Sequence, residues 1–426
     1  MRLILGLAIY RLLLPCLFLA AFPRWVLKML RRGGFGTRLG ERAAIYTHSL
    51  EYEPCGVVHF HAVSVGESML ALKLIRKWLV KEPERRFVLA TGTATGHAVA
   101  SAAGISGLRV TYAPLDFRWM VRRYLDRFEP SQIVLIEGEV WPHLLLECRR
   151  RNIPVRLVNA RMSPRSGRRF RRFAEWLRPI YRMLDAVAIQ EPEDAGIWET
   201  LGIGKRKIHS TGSLKFDPGS GIRPRRQPEF QEMLDAFGEN RRIVLAASTH
   251  AGEEALVAQA VSAADPQALA VIVPRHAERR LDVMADLQRA GFSVVLRSSF
   301  SKPPTVGDRS YAFVIDTTGE LRDWTAHADV VIIGKSFLST GGQNPSEAIL
   351  AEKPIICGPH MENFQPLARR LIAAGGCICA SDRDEITRAI LTSFNPRKAQ
   401  KMTLIASGLL DHHQGATERI LSLLMA

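Results

Sequence analysis

Two glutamates stand where an apolar run gives way to a turn: Glu67 in HAVSVGE (61–67) and Glu137 in EGEVWP (137–142). Carboxylates at strand ends are the right material for general-base work. Each could equally be a carboxylate favoured by the dipole at a helix start. Further on, the stretch IGKSFLSTGGQNPSEA (333–348) leaves the apolar run 330–333 and passes through Gly341 and Gly342. It then enters a helix, with Asn344 read as N-cap, Pro345 as the first helical residue and Glu347 as the third. That is a capping-box arrangement, with Pro where its missing N–H does no harm. A strand, a glycine turn and a helix N-terminus together make a place for an anion. Glu347 also stands where a carboxylate could hold ribose hydroxyls. An ordinary capped helix is the plainer reading of the same residues.

The elements that must position these groups alternate along the chain. Strands are predicted at 57–62, 87–91, 133–136, 155–158 and 186–189. They recur at 243–247, 269–273, 313–315, 330–333 and 355–356, with helical periodicity between them. This alternation predicts an α/β chain with two doubly wound parallel sheets. Active sites in such sheets lie beyond the carboxyl ends of the strands. In the second half those ends deliver Pro274 with Arg275, then Thr318-Gly319-Glu320, then Asn344-Pro345-Ser346-Glu347. Arg275 suits a phosphate. The stretch 217–228 (DPGSGIRPRRQP) reads as an interdomain linker. The expected organisation is an anchor at 1–34, an N-terminal Rossmann-like domain at 35–216, this linker, and a C-terminal Rossmann-like domain at 229–426. Two such domains facing a central cleft suit a glycosyltransferase of the GT-B type. The nucleotide-sugar donor would lie on the second domain, and the acceptor and base on the first.

Charge narrows the partners. The 426 residues carry a formal net charge of +16, which suits nucleic acid, an anionic membrane or an anionic substrate. There is no zinc finger, aromatic RNA-binding signature or basic-helix repeat, so nucleic acid rests on charge alone. No His/Asp/Glu set has metal spacing, so no metal is expected. The six cysteines (16, 55, 148, 357, 377, 379) are scattered, and reduced thiols facing the cytosol are expected. Residues 3–22 are mostly apolar, broken by Arg11 and Pro15, with Arg24, Lys28, Arg31 and Arg32 following. They read as a membrane anchor, either a single span or an in-plane amphipathic helix, that keeps the rest of the chain in the cytoplasm. A buried helix of the first domain is the competing reading. Residues 161–182 hold eight arginines and one Glu, interleaved with Phe170, Phe173, Trp176, Leu177 and Ile180. This basic amphipathic segment suits anionic headgroups or phosphates.

The chain resembles the 3-deoxy-D-manno-octulosonic acid (Kdo) transferases of lipopolysaccharide synthesis. Besides the anchor, the resemblance is carried by LGER (39–42), HAVSVGE, EGEVWP, NARMSPRS (159–166), GSLKFD (212–217), ASTHAGEE (247–254), VPRHAER (273–279), DTTGEL (316–321), GGQNPSEA (341–348) and GPHMENF (358–364). It implies inverting, metal-independent transfer of Kdo from CMP-Kdo to a lipid A precursor, lipid IVA, at the cytoplasmic face of the inner membrane. CMP-Kdo is a substrate, and no cofactor is implied. By the resemblance, Glu67 is the general base, and Glu137 and Lys215 stabilise the transition state. Pro274, Arg275, Thr318, Gly319, Glu320, Asn344, Pro345, Ser346 and Glu347 bind the CMP part of the donor. The sequence departs from the family pattern at Gly138 (Thr is usual), His143 (Asn), Ala251 (Glu), Lys335 (Gly) and Gln343 (His). Two alternatives stand beside this reading. One is a diverged member with another acceptor or a related sugar acid. The other is a non-catalytic membrane-attached binding protein on the same scaffold.

Overall fold

The computed structural model describes residues 2–31, 38–46, 56–162, 164–217, 223–300 and 310–426. Residues 32–34 of the expected anchor, Cys55, Ser163 and residues 218–222 of the expected linker lie outside the described residues. The chain forms two compact units, one of Met1–Asp217 with Gly415–Ala426 and one of Pro218–Gln414.

The first unit is built on seven strands: β1 (Val58–Ala62), β2 (Phe87–Thr91), β3 (Leu108–Tyr112), β4 (Gln132–Ile136), β5 (Val155–Ala160), β6 (Ala186–Ile189) and β7 (Ile208–Ser210). The second holds β8 (Ile243–Thr249), β9 (Leu269–Pro274), β10 (Ser293–Leu296), β11 (Tyr311–Val314), β12 (Val330–Ile333), β13 (Ile355–Cys357) and β14 (Ile378–Cys379). The sheet orders are β3-β2-β1-β4-β5-β6-β7 and β10-β11-β9-β8-β12-β13-β14. Every pairing is parallel, with β1 against β4 and β8 against β12. Every residue of β1, β2, β4, β8, β9 and β12 is buried. Helices cover both faces of a parallel sheet, so these strands read as continuous rather than alternating apolar runs. The expected fold is correct: two Rossmann-like parallel-sheet units of the GT-B type.

Sequence reading passed over β3, β7, β10 and β14. All four are the outermost strands of their sheets, and β7, β10 and β14 are only part-buried or exposed. A short, half-wet strand carries no continuous apolar signal.

The expected assignment of 229–426 to the second domain needs correction at its end. The last helix, Ala416–Met425, belongs to the first unit. Its Ile420, Leu421 and Leu424 lie in one buried cluster with Val58 and Phe60 of β1 and Leu70 and Leu74 of the helix Val65–Lys81. Asp217 clasps this return: its Oδ1 and Oδ2 accept from the backbone N–H of Gly415 (3.2 Å) and Thr417 (2.7 Å). Lys73 donates to the carbonyls of Leu214 (2.9 Å) and Asp217 (2.5 Å).

At the other terminus a 30-residue helix, Arg2–Arg31, docks one face on the first unit. Leu7 joins its core, and the Tyr10 hydroxyl donates to Asp116 Oδ2 at 2.9 Å. Phe18 meets Phe117 edge-on at 5.8 Å. Several other apolar residues face outward: Ile4, Leu12, Leu17 and Leu19 are 63–74% exposed. Among the described residues, no helix is long and apolar enough to cross a membrane.

Leu421 is fully buried between the last helix and the sheet. Leu421→Ala is expected to destabilise the first unit by about 3 kcal/mol, as for other buried leucines. Urea unfolding followed by tryptophan fluorescence would read this. An unchanged midpoint would show that the last helix does not hold that unit together.

Candidate active site

In the first unit the strand order reverses between β1 and β4, and the chain leaves both strands at that switch point. After β1, Ser64 caps the helix Val65–Lys81. Its Oγ accepts from the Glu67 N–H (3.2 Å), while Glu67 Oε2 accepts from the N–H of Val63 (2.6 Å) and Ser64 (3.3 Å). The capping box is complete, so the cap reading of Glu67 is correct as far as Oε2 goes. Among the described residues no hydrogen bond engages Oε1. A half-buried carboxylate is thus held rigidly at a helix N-terminus with one oxygen free, which suits a positioned base.

After β4, Glu137 adopts a left-handed backbone (φ +62°) that a non-glycine residue rarely takes. Its N–H donates to the Val158 carbonyl (3.0 Å), and its own carbonyl accepts from the Arg161 N–H (3.2 Å). Surrounding structure therefore holds the strained residue. Its Oε1 pairs with Lys215 Nζ at 2.8 Å and lies 3.5 Å from Asn159 Nδ2. The structure thus brings Glu137 and Lys215 together.

Two further residues complete this arrangement. Asn159 is fully buried, and its Oδ1 accepts from the Leu214 N–H (2.9 Å), tying β5 to the loop that carries Lys215. Glu139 Oε2 accepts from the Trp141 indole N–H (2.9 Å), and the Trp141 ring is 39% exposed. Burial, helped by the charges of Glu67 and Glu137, pushes the Glu139 carboxyl up to about 7. Three carboxyls and one ammonium therefore share the switch point, and the Glu139 carboxyl titrates near neutral pH. The second glutamate of EGE was the only signal for it in the sequence, where nothing distinguished a dry carboxyl from a wet one.

In the second unit the reversal falls between β8 and β12. Arg275 follows β9, its N–H bound to the Thr249 carbonyl (3.0 Å) and its side chain exposed; Pro274 is buried. Thr318 and Gly319 form an exposed turn. Glu320 is engaged internally: its Oε2 accepts from Thr317 Oγ1 (2.6 Å) and Trp324 Nε1 (3.1 Å) and lies 3.5 Å from Arg297.

The predicted capping box at Asn344 is not formed. The helix is only Ser346–Leu350, with Pro345 in the cap position. Asn344 Oδ1 instead accepts from both the N–H (3.0 Å) and the hydroxyl (2.8 Å) of Ser346. The helix starts one residue late because the Asn344 carboxamide closes a tighter local turn. Glu347 is half-buried beside Arg322 and Arg275: burial raises its carboxyl, and the two guanidinium groups oppose that rise. The structure brings Arg275 and Glu347 together and adds Arg322. No hydrogen bond engages Glu347 among the described residues, so its oxygens are available to a ligand.

Glu253, in the ASTHAGEE segment, is fully buried. It accepts from the N–H groups of His250 (2.9 Å), Lys335 (2.6 Å) and Phe337 (3.1 Å), joining the loops after β8 and β12. Lys335 is held with φ +55°, and Gln343 Nε2 lies 3.4 Å from His250 Nε2. Burial and the Lys335 charge both lower the His250 pKa. Two of the departures from the family pattern thus converge on one histidine.

The raised Glu139 carboxyl has a definite pH signature. Its folded pKa of about 7 exceeds the ordinary value of 4.5. Stability from the neutral form is complete below the ordinary value and lost as pH rises through the folded one. Glu139→Gln keeps an acceptor for Trp141 without the charge. It is expected to be more stable than the parent at pH 8 by about 1 kcal/mol, discounted for partial solvent access, with the gain vanishing at pH 5. Thermal unfolding at both pH values checks this, and an equal effect at both would remove the assignment.

A family profile described as 3-Deoxy-D-manno-octulosonic-acid transferase (kdotransferase) matches residues 37–218. The 3-deoxy-D-manno-octulosonic acid transferase of Bordetella pertussis is 36% identical over 382 residues, covering 86% of each chain. That of Haemophilus influenzae is 30% identical over 393 residues, covering 91% of this chain and 90% of the relative. Among solved structures, UDP-GlcNAc 2-epimerase of Neisseria meningitidis gives a TM-score of 0.55 at 14% identity, covering 87% of this chain and 100% of that one. A glycosyltransferase from Rickettsia africae gives 0.52 at 10% identity, covering 86% and 97%. These two establish the fold alone. The sequence relationship extends nearly end to end and spans both switch points, and on that ground the chain is a glycosyltransferase belonging to the 3-deoxy-D-manno-octulosonic acid transferase family.

Proposed function

We propose that this enzyme transfers Kdo from CMP-Kdo to a hydroxyl of a lipid A precursor, lipid IVA, with inversion and release of CMP. The observation that carries the reading is Glu67, fixed by its capping box with Oε1 free and set among Glu137, Lys215 and Glu139. The acceptor oxygen attacks the anomeric carbon while its proton passes to Glu67. The bond from that carbon to the phosphate oxygen breaks, and CMP leaves with the electron pair. Positive charge growing at the anomeric carbon is met by the Glu137 carboxylate, which Lys215 holds in place. Negative charge growing on the phosphate is met by Arg275, and Glu347 takes the ribose hydroxyls. Cationic side chains supply the charge stabilisation in this scheme, so it calls for no metal and no cofactor. Thr318, Gly319 and the Asn344-Pro345-Ser346 turn supply the walls of the nucleotide site.

We assign the reaction to the cytoplasmic face of the inner membrane. The outward apolar face of the helix Arg2–Arg31 supports this. So does the exposed arginine cluster Arg168, Arg169, Arg171 and Arg172. The helix Ala174–Tyr181 follows that cluster directly and packs against the N-terminal helix, Trp176 lying beside Gly6. Apolar and basic surfaces are thus neighbours, as an in-plane anchor on anionic lipid needs. A second reading, a changed acceptor, rests on Gly138. A Cβ added there would meet nothing within 4 Å, so the space beside Glu137 that the family's usual Thr would fill is open.

Mass analysis of products from purified protein, CMP-Kdo and lipid IVA tests the reading. One or more added Kdo units are expected. Glu67→Gln, which keeps the cap, is expected to lose at least 100-fold in kcat while still binding CMP; near-normal turnover would move the base elsewhere. Arg275→Ala is expected to weaken donor binding about tenfold or more, and unchanged affinity would relocate the phosphate. Flotation with anionic vesicles, but not neutral ones, is expected of the full chain.

A further inference from the structure

The second unit holds a cavity of about 600 Å³ that the transfer reaction does not use. It is lined by Ile243, the first residue of β8, and Asp329, just before β12. The residues assigned to the donor follow the opposite ends of β9, β11 and β12, which run parallel to β8 in the same sheet. Seven residues of extended chain in β8 separate the two places, roughly 20 Å. The cavity therefore lies at the amino edge of the sheet, away from the candidate active site, and its size is that of a small-molecule site.

Its walls are cationic. Arg226, Arg241 and Arg242 line it, against Asp235 and Asp329. Each carboxylate already has a donor: Asp329 accepts from the Ile243 N–H (2.7 Å) and Asp235 from Gln231 Nε2 (2.8 Å). His327, also in the wall, is neutral: Nε2 accepts from the Gln227 N–H (2.9 Å), leaving the proton on Nδ1, which faces Gln231 Oε1 at 3.3 Å. Arg242 is fixed by a bond it donates to the Phe394 carbonyl (3.2 Å), with its guanidinium 4.3 Å above the centre of the Phe394 ring. Arg226 donates through Nε to the Ala326 carbonyl (3.4 Å), which leaves its outer nitrogens for another partner. Arg241 lies across Gly238, where any Cβ would stand 2.8 Å from its Nε. Glycine at 238 (φ +127°) is what admits that side chain.

A second observation is independent of charge. Ser393 also lines the cavity and is only 3% exposed, yet among the described residues its hydroxyl has no hydrogen-bond partner. A buried hydroxyl left unpaired costs free energy, and native structures rarely tolerate one without a reason. Guanidinium groups with a free hydroxyl make the donor set of a phosphate.

We propose that this cavity binds a phosphate-bearing small molecule, held by Arg226, Arg241 and Arg242 with Ser393 donating its hydroxyl. The inference does not depend on the transfer chemistry. Calorimetric titration of the full chain with inorganic pyrophosphate tests it. Parent protein and Arg275→Ala are expected to bind alike, because Arg275 belongs to the other end of the sheet. Arg241→Ala is expected to weaken binding at least tenfold. Ser393→Ala is expected to weaken it several-fold while leaving the melting temperature of the free protein unchanged or raised, since the hydroxyl has no partner to lose. No binding by the parent would overturn the proposal. So would binding that Arg275→Ala abolishes and Arg241→Ala leaves intact, or a Ser393→Ala variant that binds normally and melts lower.

Discussion

The second unit depends on one buried carboxylate. Glu253 gathers three backbone N–H groups from the loops after β8 and β12, the two strands that flank the reversal of strand order. Unpaired, those donors would each carry a desolvation cost, and the loops would have no reason to stay together. With Glu253 in place the loops approach until backbone touches backbone. A Cβ at Gly334 would stand 2.5 Å from the Ser248 carbonyl oxygen. The glycine permits the approach, and Glu253 bridges it. Lys335, Gln343 and His250 are arranged on the platform that results.

The first unit solves the same problem with an amide. Asn159 is buried at the end of β5 and reaches both Glu137 and the backbone of the loop carrying Lys215. Glu137 is held in a left-handed backbone by ladder-like bonds to Val158 and Arg161. Rigidity of this kind costs conformational strain, and a charged pair needs it to keep its geometry when the substrate charge develops. The three carboxyls differ by environment. Glu67 is fixed at a helix start, Glu137 is paired with an ammonium, and the half-buried Glu139 has its carboxyl pushed up to about 7. The proposed mechanism uses that difference, with one group to accept a proton and another to oppose a positive charge.

The two termini both serve the first unit. Its core is closed by the last helix, clasped by Asp217 from the point where the chain first leaves that unit. Its outer face carries the N-terminal helix, half docked and half apolar to the outside. The second unit is therefore an insertion between two parts of the first in chain order.

The chain's residues alone were enough to mark the buried strands, because strands covered on both faces must be continuously apolar, and the turns that follow them, because chemistry-bearing residues cluster there. Glu67, Glu137, Arg275 and Glu347 were legible for that reason. Their partnerships were not. That Lys215 meets Glu137 across 78 residues, or that Arg322 joins Arg275 beside Glu347, follows from strand order, which no local pattern encodes. The edge strands were missed because half-wet segments lose their periodicity. The cap at Asn344 was placed one residue early because local hydrogen bonding of a carboxamide competes with helix start. The raised pKa of Glu139 and the idle hydroxyl of Ser393 exist only through burial, and burial is a property of the packed chain.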